Sequence, residues 1–110
     1  MSTLTDLQRR RLTSWAARNP QIRRVVLFGS RVKGTHRANS DLDIAIELEA
    51  GEDSNATLAN WMQFSNVWKR EVSAIVPFKV DLQWLDRYGA TSVIEQGVKE
   101  ANEVVYARAS

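Results

Sequence analysis

The chain has no cysteine, which excludes disulfides, thiolate metal sites and a cysteine nucleophile and is compatible with a reducing compartment. It also lacks any apolar run near the roughly 20 residues needed to span a bilayer, and Met1–Asp6 lacks the basic-then-apolar layout of a secretory leader. A large surplus of one charge is missing too. The formal net charge is +2, milder than the basic footprint of a dedicated nucleic-acid binder. No internal repeat or low-complexity tract is visible. These absences lead us to expect a cytoplasmic protein with no membrane role and no dedicated nucleic-acid role. Its 110 residues suit one domain, residues 1–110.

Periodicity supplies the elements. Residues 4–18 read as a helix with Leu4, Leu7, Leu12 and Trp15 on one stripe and Thr3 or Ser2 as N-cap, ended by Asn19-Pro20. Arg9 and Arg10 then fall on a solvated face. Residues 22–28, Ile-Arg-Arg-Val-Val-Leu-Phe, form an apolar, β-branched run and read as a buried strand. Residues 29–40 read as a loop with one helical turn after Gly29. Residues 41–49 alternate, with Leu42, Ile44, Ile46 and Leu48 facing a core and Asp41, Asp43, Ala45, Glu47 and Glu49 facing away.

Gly51 to Ser54 reads as a turn. Residues 55–75 carry Leu58, Trp61, Met62, Ser65, Trp68, Val72 and Ile75 at helical spacing, stopping near Pro77. Residues 78–84 alternate again, with Asp81 and Gln83 sharing one face. Residues 91–101 suit a helix that Gly97 weakens, and Val104-Val105-Tyr106 suits a short last strand. The order predicts an α/β (α+β) fold, a small mixed sheet of three or four strands flanked by helices.

The chemistry concentrates in three places. Asp41 and Asp43 lie two residues apart on a strand, about 6.6–6.8 Å, and project to one side. Magnesium favours carboxylate and phosphate oxygens, and two such ions can stabilise attacking and leaving oxygens in phosphoryl chemistry. The competing reading is the wet face of an edge strand, which Glu47 and Glu49 also fit. Gly29-Ser30 precedes Asp41 by ten residues. A glycine turn before a helix lets backbone N–H groups approach a phosphate, and Arg31, Lys33 and Arg37 in the same loop could neutralise a polyphosphate. The competing reading is an ordinary turn. Asp81 is a third acid on a later strand. Three clustered acids would repel and need a cation; the competing reading is one surface aspartate.

Taken together, Phe28-Gly29-Ser30-Arg31-Val32-Lys33-Gly34, Ser40-Asp41-Leu42-Asp43-Ile44-Ala45-Ile46 and Val80-Asp81-Leu82 resemble the minimal nucleotidyltransferases of the DNA polymerase beta-like superfamily. The chain is similar in particular to the nucleotidyltransferase antitoxins paired with HEPN-type toxins. The combined pattern covers residues 22–85 and is far more specific than its parts.

The resemblance implies a nucleotidyltransferase fold in which Gly29 and Ser30 hold the β- and γ-phosphates of ATP. Arg31, Lys33 and Ser40 would support that nucleotide site. Asp41, Asp43 and Asp81 would be both catalytic and metal-binding, holding two Mg²⁺, with Asp81 helping to deprotonate the acceptor hydroxyl. AMP would pass to a hydroxyl, in the antitoxins a tyrosine, on a HEPN-type toxin. A hetero-oligomer with that partner is expected, or a homodimer alone. The alternatives are a non-catalytic antitoxin acting by contact and an aminoglycoside-type adenylyltransferase. One departure is a long stretch between Gly97 and the last apolar run. Trp15, Trp61, Trp68 and Trp84 read as core, with an interface role as the other possibility, and His36 reads as a solvated loop residue.

Overall fold

In a computed structural model, residues 3–49 and 53–108 are described. The elements run α1 (Asp6–Ala17), β1 (Ile22–Phe28), α2 (Ser30–Lys33), β2 (Leu42–Leu48), α3 (Ser54–Ser73), β3 (Val80–Leu85), α4 (Ser92–Glu100) and β4 (Asn102–Ala107). The four strands form one mixed sheet in the order β3-β2-β1-β4. β1 is antiparallel to both β2 and β4, while β2 and β3 are parallel. A parallel pair needs a long crossover, and α3 supplies it.

The two faces of the sheet carry separate apolar clusters. On one face Leu42, Ile44, Ile46 and Leu48 pack with Leu12, Trp15, Trp68 and Val72 of α1 and α3. On the other, Val26, Phe28, Ala45 and Leu85 pack with Val98 of α4. β2 is therefore an inner strand covered on both sides, and Ala45, expected on a wet face, is fully buried. This topology excludes the edge-strand reading of Asp43. The expected turn at 51–54 begins at residues outside those described.

Several expectations need correction. The N-cap of α1 is Thr5, not Thr3 or Ser2. Its hydroxyl accepts from Gln8 N and the Gln8 side chain accepts from Thr5 N, a reciprocal capping box; Ser2 lies outside the described residues. Leu7 is 52% exposed, because five residues at about 100° each place it roughly 140° around the helix from buried Leu12. Arg9 does not face solvent alone: it pairs with Glu103 and donates to Val104 O, tying α1 to β4.

In α3, Met62 is 69% exposed while Trp68 and Val72 are buried. Trp15 and Trp68 meet edge to face at 6.3 Å inside the core and are not available to a partner. Gly97 is helical and does not end α4. A Cβ there would sit 3.2 Å from the Phe28 ring, so glycine lets α4 lie close on the sheet. The stretch between Gly97 and the last apolar run is taken up by α4, which continues to Glu100, and by β4, which begins at Asn102; within β4 a register shift sets Val25 opposite Tyr106 and Val26 opposite Val104. The extra residue, Val105, turns into the core. Among the described residues no helix is long and apolar enough to cross a membrane.

Candidate functional site

β1 ends at Phe28, which pairs with Asp43 on β2, and Asp43 pairs with Asp81 on β3. Three neighbouring strands thus bring the Gly29 turn and two acids into one row. Residues directly opposite in a sheet point to the same face, so the register alone makes Asp43 and Asp81 neighbours. Asp41 lies one residue before β2 and is half-buried.

Gly29 has φ +79° and ψ −159°, a region essentially restricted to glycine. A Cβ at this position would lie 2.0 Å from Asp43 Oδ2. Glycine is therefore required twice, for the turn and for room beside the carboxyl. Ser30 opens α2 directly after it and is half-buried.

The Asp43 carboxyl is pushed up to about 6 from an ordinary 3.8. Burial is the main cause; the charge of Asp81, a hydrogen bond shared with Asp81, and the charge of Asp41 add to it. Asp43 and Asp81 are register partners whose charges act on each other, with Asp41 near enough to be felt.

The loop residues expected to help hold the nucleotide have other partners. Arg31 Nε donates to Ser40 O at 2.9 Å and its NH2 to Ala38 O at 3.1 Å. Its guanidinium also lies 4.0 Å from the centre of the Phe78 ring, so Arg31 closes the loop and fastens it to the approach to β3. Ser40 Oγ accepts from Arg37 N at 2.8 Å. Lys33 Nζ is 2.7 Å from Glu100 Oε2 at the end of α4. His36 and Arg37 are exposed.

The donor set fits a hard divalent cation. It consists of carboxylate oxygens, crowded and half-buried, whose mutual repulsion a cation would relieve. Among the described residues no three His, Cys, Asp or Glu side chains are gathered closely enough to cage an ion unaided. Magnesium commonly uses one or two carboxylates and completes its shell with water and substrate phosphates. Surface hollows of about 390 and 420 Å³ are lined by residues around Arg10–Arg11 and around Arg87–Gly89. The half-buried Asp43–Asp81 pair lines neither of them.

A profile of the family described as "Polymerase beta, Nucleotidyltransferase" matches residues 10–110. The chain belongs to this nucleotidyltransferase family. No curated protein matches its sequence.

Among solved structures, the toxin–antitoxin MntA-HepT is similar at 22% identity and TM-score 0.59, covering 94% of this chain and 74% of that one. A tri-AMPylated Shewanella oneidensis HEPN toxin in complex with MNT antitoxin gives 20% identity and TM-score 0.58, over 96% and 74%. A toxin–antitoxin with AMP-PNP gives 22% identity and TM-score 0.51, over 96% and 75%. At these identities the likeness shows the nucleotidyltransferase fold.

Sequence reasoning passed over two residues beside this candidate site. Gln83, noted only as sharing the face of Asp81, donates from Nε2 to Asp81 Oδ1 at 2.8 Å; its i+2 spacing on a strand was the available signal. Phe78, beneath Arg31, had no signal, because a ring under a loop arginine is set by tertiary approach alone.

Proposed function

We propose that this chain is a magnesium-dependent nucleotidyltransferase that moves AMP from ATP to a tyrosine hydroxyl on a HEPN-type toxin, acting in the cytoplasm as its antitoxin. The observation that carries the reading is the row Gly29, Asp43, Asp81 across three strands, with two carboxyls pressed together opposite a glycine-only turn.

In this reading Gly29 and Ser30 hold the β- and γ-phosphates, and Asp41, Asp43 and Asp81 hold two Mg²⁺. Bound magnesium would supply charge neutralisation for the phosphates and the departing pyrophosphate. Asp81 accepts the proton of the acceptor hydroxyl, whose oxygen bonds to the α-phosphorus while the bond to pyrophosphate breaks. Crowding of Asp43 against Asp81 favours the arrangement because ionised carboxylates there gain most from a cation. Arg31 and Ser40 serve by closing the loop that carries Ser30, and Lys33 lies at the mouth of the same loop. A protein acceptor would bring its own binding surface, since positioning both substrates accounts for much of a transferase's rate. The single-domain reading, residues 1–110, belongs to this proposal.

The test is incubation with α-labelled ATP, Mg²⁺ and the HEPN-type partner. Label is expected on the partner and is expected to vanish in the Asp41→Asn, Asp43→Asn double variant. Label absent with the wild-type chain, or unchanged in the double variant, refutes the proposal. The competing reading is an antitoxin acting by contact alone. Full neutralisation of the toxin by the double variant would select it.

A further inference from the structure

We propose that Gln83 is a positioning residue for the acid pair: its side-chain amide holds Asp81 turned toward Asp43 in the orientation that transfer requires. This rests on the transferase reading above.

The geometry is a small rectangle on one face of the sheet. Asp43 stands opposite Asp81, and two residues further along Ala45 stands opposite Gln83. Neighbours on one face of a strand are separated by about 6.6–6.8 Å, so a side chain must be long enough to fold back along the strand. Gln83 does so, and its Nε2 reaches Asp81 Oδ1 at 2.8 Å. Ala45, with a single buried methyl group, leaves the amide room to turn.

An anchor is needed here because Asp81 stands opposite a second carboxyl on the adjacent strand. Without a donor, like-charge repulsion would swing Asp81 out toward solvent. Asp43 has less room to turn on the Gly29 side, where its carboxyl already occupies the space a Cβ would take. The chemistry of the anchor matters as well. A glutamine amide is neutral, so it orients Asp81 without cancelling the charge required for a cation or for the acceptor proton. A lysine or arginine at position 83 would orient the same carboxylate but compete with the metal.

The experiment compares wild type with Gln83→Met, which keeps length and removes the donor, and with Gln83→Lys, which keeps a donor and adds charge. Three quantities are read: kcat and KM for ATP with the HEPN-type partner, Mn²⁺ affinity by electron paramagnetic resonance, and Tm. Loss of an outer partner of a metal ligand typically lowers metal affinity or activity by about 10–100-fold. Gln83→Met is therefore expected to lose about 10-fold or more in kcat and in Mn²⁺ affinity, with KM within about twofold and Tm unchanged. Gln83→Lys is expected to bind Mn²⁺ more weakly still.

A Gln83→Met protein within twofold of wild type in both kcat and Mn²⁺ affinity overturns the assignment. So does a loss of kcat that merely tracks a loss of folded protein while Mn²⁺ affinity stays constant. Wild type that neither transfers label nor binds Mn²⁺ overturns the transferase reading, and the assignment with it. If wild type binds Mn²⁺ without transferring label, the affinity comparison alone decides.

Discussion

Replacing Asp43 by asparagine should remove activity and make the protein more stable. Asp43 keeps its proton up to about pH 6 in the folded chain, against an ordinary 3.8. Well below the ordinary value of 3.8 folded and unfolded chains both hold the proton, and no penalty exists. Between 4 and 6 the unfolded chain releases it first, so stability falls as pH rises through that window and stays low above it. At 1.36 kcal/mol per pH unit the full penalty would be about 3 kcal/mol. The carboxyl is only half-buried, and solvent screening reduces the figure to about 1–1.5 kcal/mol.

Asparagine keeps the shape without the charge. In chelator at pH 7.5, Asp43→Asn should therefore be more stable by about 1–1.5 kcal/mol, a rise in Tm of roughly 4–8 °C. The difference should shrink to a small fraction of that at pH 4. Saturating Mg²⁺ should narrow or reverse it, because the ion stabilises only the chain that binds it. Thermal melts at pH 4.0, 5.0, 6.0 and 7.5, with and without Mg²⁺, read all of this. A variant no more stable than wild type at pH 7.5, or a difference independent of pH, refutes the reasoning.

Three further outcomes are expected. Gly29→Ala must place a Cβ 2.0 Å from Asp43 Oδ2 at φ +79°; it should cost about 1–3 kcal/mol in urea melts and abolish label transfer by rotating Asp43 away, and full activity would contradict it. Asp86, 4% exposed, accepts from Ser54 Oγ at 2.6 Å and Ala90 N at 2.8 Å. Burial pushes its carboxyl up, but these bonds, with those from Tyr88 and Thr57, outweigh burial and lower it.

The stability supplied by ionised Asp86 is therefore present above the ordinary carboxylate range and lost as pH falls through the lowered value. Asp86→Ala should cost about 2–3 kcal/mol at pH 7 and less at pH 3, checked by denaturant titration at both. Gly97→Val drives a branched side chain into the Phe28 ring, 3.2 Å from the first added atom. It should destabilise by about 1–3 kcal/mol, and a neutral or positive change in Tm would show that α4 moves freely.

Most of the fold was legible from periodicity. The residues expected as strand at 22–28 are β1, the alternation of 41–49 contains β2 and that of 78–84 covers all of β3 but Leu85, because a face buried on a sheet imposes period two on its own residues. What failed did so where a neighbour decided. Met62 keeps helical spacing yet faces solvent, and Arg9 sits in a basic run yet pairs across to Glu103 of β4. The helix expected at 91–101 is there despite Gly97, and the Phe28 ring beneath that residue supplies the reason for glycine.

The sequence by itself determined which residue types were available for chemistry and their spacing along the chain: a glycine and serine, ten residues, two acids, then a third. Chain spacing is a one-dimensional property, and it is sufficient to mark a family. Only the tertiary structure decided that Asp43 and Asp81 are register partners on adjacent parallel strands, that Gly29 is pressed against one of them, and that Gln83 folds back on the other. Those relations depend on strand order and register, which arise when α3 carries the chain back to lay β3 beside β2, and no local pattern of residues encodes them.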